Sequence, residues 1–97
     1  MRGVRVDPER RETRMLRRHV PFADARVIDI GCGDGRLSNR IRGWVQSIAG
    51  VDMAGEEVRR AHARKRLDDT ARFAVADASR LPYQDRSFDL ALFSWSL

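Results

Sequence analysis

Apolar positions along this chain fall into short β-branched runs separated by stretches with helical spacing. Val27-Ile28-Asp29-Ile30 is the first run, polar before and glycine after, and it reads as a buried parallel strand. From residue 36 to about 44, Leu37, Ile41 and Trp44 recur at helical intervals on one face, which predicts a helix. Residues 47–51 form a second strand candidate closed by Asp52, and 55–67 a second helix with Val58, Ala61 and Leu67 inward. A third strand over 71–76 ends at Asp77. A polar loop containing Pro82 follows, then a fourth strand over 88–94. Upstream, Asp7-Pro8-Glu9 has the cap, the proline and the acid of a helix start. That helix is expected to run to about His19, with Met15, Leu16 and Val20 as a narrow apolar stripe, before Pro21 closes it.

Strands alternating with helices predict an α/β fold: a Rossmann-like three-layer sandwich with a mostly parallel sheet and right-handed crossovers. No repeat, low-complexity stretch or linker interrupts it. Residues 1–97 therefore read as one domain, with an N-terminal helical segment over 1–21 and the sheet-bearing part over 22–97.

Composition narrows the function classes. The sequence of 97 residues is 42% hydrophobic and 34% charged, which is too apolar for a disordered chain. Its longest apolar stretch, residues 88–97, is broken by Asp89 and two serines, well short of the roughly 20 residues of a membrane span. Arg2 and Arg5 are not followed by an apolar signal segment, so a cytoplasmic protein without membrane contact is expected. The single cysteine, Cys32, can form neither an internal disulfide nor, alone, a zinc site. The net charge is +5, and residues 1–26 carry +4 of it. A solvated, arginine-rich helix face accounts for that excess. No aromatics interleave those arginines to stack on bases, although the charge leaves a nucleic-acid partner open.

Candidate chemistry sits at strand C-terminal ends, where open α/β folds place ligands. Gly31-Cys32-Gly33-Asp34-Gly35 has glycine at every second position between a strand and a helix, a turn through which backbone N–H groups can approach a ligand. A dinucleotide fingerprint would want glycine at position 36, which is Arg36. This departure speaks against a nicotinamide-dependent oxidoreductase. Asp52 can accept hydrogen bonds from ribose hydroxyls, or cap the following helix. Asp77 can accept from an exocyclic amine such as that of adenine, or cap its own loop. Cys32 reads as a small side chain within the turn, with reactive thiol chemistry as the alternative.

The run from Val27 to Leu37, Val-Ile-Asp-Ile-Gly-Cys-Gly-Asp-Gly-Arg-Leu, resembles motif I of the class I S-adenosylmethionine-dependent methyltransferases. Gly50-Val51-Asp52-Met53 resembles the next motif. Ala76-Asp77-Ala78, Leu81-Pro82-Tyr83 and Ser87-Phe88-Asp89-Leu90 resemble the third- and fourth-strand region of the small-molecule (UbiE/type 11-like) branch. The resemblance implies S-adenosylmethionine as cofactor and a small-molecule methyl acceptor. By that resemblance Asp29 and the turn of Gly31, Cys32, Gly33 and Gly35 hold the methionine part, Asp29 directly or through water. Asp52 binds the ribose hydroxyls, Met53 packs on adenine, Asp77 accepts from the adenine amine, and the Ala78 N–H faces a ring nitrogen. Ser94 and Trp95 lie on the substrate side. The family uses a seven-stranded sheet, so these residues read as its cofactor-binding half, truncated after the fourth strand and not active alone. No catalytic residue and no metal ligand is assigned. A sheet ordered 3-2-1-4 would expose the fourth strand as an apolar edge, which suggests, as an alternative, a non-catalytic half-domain that pairs that edge with a partner.

Overall fold

Val27 and Ile28 are both fully buried although adjacent residues of a strand face opposite sides, so the strand they form must be covered on both faces. They belong to β2 (Arg26–Ile30), at the centre of the sheet. The computed structural model describes residues 2–5, 18–64 and 70–94. After β2 come α1 (Arg36–Ile41), a 3-10 turn (Arg42–Trp44), β3 (Ser47–Asp52), α2 (Gly55–Arg64), β4 (Ala71–Val75) and β5 (Leu90–Phe93). Each begins within a residue or two of its expected place. The helix expected over about 7–19 falls, but for its last residues, outside the described residues, as do Leu67 and Trp95.

One element was not anticipated. Residues Arg2–Arg5 form β1, and among the described residues the sheet has five parallel strands in the order β1-β5-β2-β3-β4. The expected 3-2-1-4 core is present as β4-β3-β2-β5, but β5 is not an open edge, because β1 pairs with it from Arg2 opposite Leu90 to Arg5 opposite Phe93. Arg-Gly-Val-Arg has no alternation to announce a strand. It is short and charged at both ends, a composition that suits an outermost strand. Phe93 lies over Gly3, where a Cβ would come within 3.0 Å of the ring.

Running β2–α1–β3–α2–β4, the chain moves in one direction across the sheet, and both helices pack on one face. Leu37, Ile41, Val58 and Ala61 meet Val27, Ile48, Ala71, Phe73, Leu90 and Leu92 there. The connection from β4 must return past β3 and β2 to reach β5, so right-handedness sends it across the other face. Leu81 and Phe88 from that connection cover Ile28, Val51 and Ala91. Among the described residues this loop, polar and broken by Pro82, is what forms the third layer. The strand order thus reverses between β2 and β5, the place where such sheets open a crevice at their C-terminal ends. Asp89 fixes the register at the opposite end. Its carboxylate accepts from the Arg26 backbone N–H (2.8 Å), Nε (3.1 Å) and Nη2 (3.0 Å), which holds its pKa down at about 2.

Phe73 of β4 fills the space under the glycine turn. A Cβ on Gly50 would lie 2.5 Å from Phe73 Cδ1 and 3.1 Å from Cys32 Cβ, and one on Gly35 would lie 3.1 Å from the same ring. The absent side chains let the ring support the turn from below. Gly50→Ala is expected to cost about 1–3 kcal/mol through overpacking, read as a lower urea midpoint. An unchanged midpoint would show that Phe73 has another place to go.

Candidate functional site

The turn between β2 and α1 is shaped by three glycines in the left-handed region, Gly31 (φ 75°), Gly33 (φ 55°) and Gly35 (φ 79°). A side chain at any of them would be strained. The turn is drawn over the end of β3, because the N–H groups of Gly31 and Cys32 both donate to the Val51 carbonyl, at 2.8 and 3.0 Å. Asp52 completes the tie. Its Oδ2 accepts from the Gly33 N–H (2.9 Å) and its Oδ1 from the Ala54 N–H just before α2 (2.9 Å). The cap position weighed for Asp52 falls instead on Ala54, whose carbonyl accepts from the Val58 N–H, and the Asp52 carboxylate ties the glycine turn to the residue just before α2. Each carboxylate oxygen carries two lone pairs, so both retain acceptor capacity for a ligand hydroxyl.

Asp34 braces the turn from outside. Partial burial disfavours its charge, but the Arg36 side chain (Nε, 3.0 Å), the Arg36 N–H and the Arg64 charge (Nη2, 3.3 Å) outweigh that and hold its pKa below the usual range.

Beside Asp52 lies a pocket of about 320 Å³, lined by Ile30, Gly31, Val51, Asp52, Met53, Ala76, Ala78 and Phe93. This is within the range of small-molecule sites, roughly 300–1,000 Å³. Four expected site residues meet there: Gly31, Asp52, Met53 and Ala78. Met53 is 69% exposed and stands at the rim, as does the 40% exposed Phe93. Phe93 was not foreseen, although strand alternation puts it on the same face as Ala91, opposite Leu92.

The other expected residues lie elsewhere. Asp77 is exposed and outside the pocket lining; its Oδ1 accepts from the Ser79 N–H (2.9 Å), which holds its pKa below the usual range. The loop-capping alternative is thus realised in the structure. Cys32 is buried, its thiol donating to the Gly33 carbonyl at 3.5 Å. Burial, followed by the charges of Asp29 and Asp52, pushes that thiol far above its usual pKa. Thiol alkylation at pH 8 is expected to be roughly 100-fold or more slower in the folded chain than in urea, because the reactive thiolate is suppressed. Equal rates would restore the reactive-thiol reading.

Asp29 faces inward from β2 and is fully buried. Its Oδ2 accepts from the Ser38 hydroxyl of α1 (2.8 Å), and its Oδ1 from the Ser94 hydroxyl just beyond β5. Burial raises its pKa to about 6; the two hydroxyls pull it back down, and the Asp52 charge adds to the rise. Ser94 therefore meets Asp29, and neither is among the pocket-lining residues. Ser38 went unnoticed in the sequence, although it falls on the same buried stripe as Leu37 and Ile41.

Among the described residues no group of acids, histidines or cysteines could hold a metal ion, and no helix is long and apolar enough to cross a membrane.

Comparison with known proteins agrees with this geometry. A family model described as a methyltransferase domain matches residues 27–97. The 27-O-demethylrifamycin SV methyltransferase of Amycolatopsis mediterranei is 37% identical over 79 residues, covering 77% of this chain and 28% of the relative. The crystal structure of an S-adenosylmethionine-dependent methyltransferase from Mesorhizobium loti superposes with a TM-score of 0.73 at 27% identity, over 86% of this chain and 38% of that one. The [4+2]-cyclase SpnF superposes with a TM-score of 0.70 at 32% identity, over 81% of this chain and 30% of the cyclase. The chain thus spans about a third of the length of these proteins. Because the methyltransferase model covers residues 27–97, well over half of the chain, the chain belongs to the class I S-adenosylmethionine-dependent methyltransferase family.

Proposed function

We propose that these residues bind S-adenosylmethionine as the cofactor-holding part of a methyltransferase that acts on a small molecule. The observation that carries this reading is Asp52, which ties the glycine turn to the start of α2 at the rim of an apolar pocket and keeps lone pairs for a vicinal diol. The pocket suits an adenine ring: Ile30, Val51, Ala76 and Phe93 offer apolar walls, and Met53 stands ready to cover one face. We assign the ribose hydroxyls to Asp52, a ring nitrogen to the Ala78 N–H, and the adenine amine to Asp77 through Oδ2, since Oδ1 serves its own turn. Gly31, Cys32, Gly33 and Gly35 form the backbone path along which the methionine part would lie, with Asp29 acting on it from beneath.

When bound, the cofactor supplies a methyl group on a sulfonium, open to in-line displacement. The chain's own task is orientation, a proximity effect that needs no nucleophile from the protein. Its buried and half-buried carboxylates, Asp29 and Asp52, add negative charge on the side where a cationic ligand would sit.

Calorimetric titration of the chain with S-adenosylmethionine, S-adenosylhomocysteine and NAD tests the reading. Saturable binding of the two adenosyl ligands is expected. Binding of NAD alone would instead support the oxidoreductase alternative.

A second reading has a specific observation behind it. A protein of similar fold is a [4+2]-cyclase, so the fold alone does not fix methyl transfer as the reaction. Cofactor binding without methyl transfer by the whole protein is the outcome that would favour it. For the interaction-module alternative, β1 already pairs with β5, so a partner strand would have to meet β1 or β4, the outermost strands among the described residues.

A further inference from the structure

The Asp29 cluster joins three elements that end at the crevice: β2 through Asp29, α1 through Ser38, and the end of β5 through Ser94. All three residues are fully or almost fully buried. A carboxylate in such a place normally finds arginine, lysine or backbone N–H donors. Here each oxygen accepts from one serine hydroxyl instead. Hydroxyl donors favour the ionised form, against burial and against like charge. The Asp52 carboxylate at the end of β3 and the Cys32 thiol in the turn interact with Asp29 through charge without a hydrogen bond to it, while α1 and the end of β5 contribute the two hydroxyls. Neither Asp29 nor Ser38 is among the residues lining the pocket.

We propose that Ser38 and Ser94 are positioning residues that keep the Asp29 carboxylate ionised beneath the glycine turn, and so set the pH range over which the crevice holds a cationic ligand. The inference rests on the cofactor reading above. Ser38 acts through Asp29 and touches no ligand itself. Removing its hydroxyl strips one of two donors from the buried carboxylate and moves its protonation to higher pH. The charge beneath the turn is then lost at a pH where the wild-type chain still carries it. A ligand bearing a sulfonium as well as an ammonium group feels that loss more than its thioether counterpart, which keeps the ammonium but lacks the sulfonium charge.

The test is S-adenosylmethionine affinity from pH 5 to 8.5 for the wild type, Ser38→Ala and Ser38→Thr, with S-adenosylhomocysteine alongside. Wild-type affinity is expected to fall several-fold as the pH drops through about 6, more steeply for the sulfonium ligand. Ser38→Ala is expected to move that fall up by about one pH unit, because one hydrogen bond to a charged group is lost. Ser38→Thr, which keeps the hydroxyl, is expected to restore the wild-type profile. A Ser38→Ala profile superimposable on the wild type would overturn the positioning role. A wild-type chain that binds neither ligand at any pH overturns the cofactor reading itself, so the two failures are distinct. Should Ser38→Ala not fold, the ¹³C carboxyl resonance of Asp29 in Ser38→Thr and Ser94→Ala decides. The expected result is a titration near wild type in the first and displaced to higher pH in the second, and coincident titrations overturn the proposal.

Discussion

Asp52→Ala is expected to weaken S-adenosylmethionine binding by about 1.5–3 kcal/mol, a loss of roughly 10- to 150-fold in affinity. The size follows from charge-assisted hydrogen bonds to two ribose hydroxyls, which are stronger than neutral ones. Part of the loss has another origin. The Gly33 and Ala54 N–H groups both donate to this carboxylate, so its removal also loosens the turn and the start of α2. The two contributions separate when the ligand is varied together with the protein. An S-adenosylhomocysteine analogue lacking the ribose hydroxyls is expected to bind the wild type weakly and to be almost indifferent to the mutation. If Asp52→Ala weakens both ligands equally, Asp52 shapes the turn and does not read the ribose. Asp52→Asn retains one acceptor oxygen and is expected to fall between the two.

Much of this arrangement was legible in the sequence. Val27-Ile28-Asp29-Ile30 announces a strand buried on both faces, and glycine at 31, 33 and 35 announces a turn no other residue makes cheaply, since all three adopt positive φ. The acid closing β3 was readable because a strand end opposite that turn can hardly do other than face it. What escaped the sequence depends on contacts between distant residues. β1 pairs with residues 90–93, and nothing local in Arg-Gly-Val-Arg carries that information. Ser38 looks like a neutral helix residue until Asp29 is seen to point at it. Asp77 offered two roles of equal weight, and its neighbour Ser79 realised the capping one. Asp29 is expected from the resemblance to hold the methionine part directly or through water, and its serine partners were hidden because strand alternation turns it toward α1, the same side as Val27, and buries it.

That burial carries the second large expectation. With a pKa raised from 3.8 to about 6, Asp29 binds its proton more tightly in the folded chain than in the unfolded one. Between about pH 4 and 6 the folded state therefore holds the extra proton, and stability falls as pH rises through that window. The contribution is fully present below about pH 4 and gone above 6. Ionised Asp29 thus costs the fold on the order of 3 kcal/mol at pH 7, because each tenfold change in proton affinity is worth about 1.4 kcal/mol. Asp34, Asp77 and Asp89 move the other way, and their stabilisation is lost only as pH falls below about 4. Asp29→Asn keeps the shape and removes the charge. Its oxygen can accept from one serine, and its amide N–H can donate to the other hydroxyl. The variant is expected to be more stable than the wild type in urea at pH 7–8 by up to about 3 kcal/mol, with the gap closing toward pH 4.5. Parallel stability curves across that range would mean that Asp29 binds its proton equally well in the folded and unfolded chain, and that burying its charge costs the fold nothing. The same variant is expected to bind S-adenosylmethionine more weakly, since what destabilises the fold is the charge the crevice uses. A gain in stability at the expense of affinity is the mark of a residue retained for function.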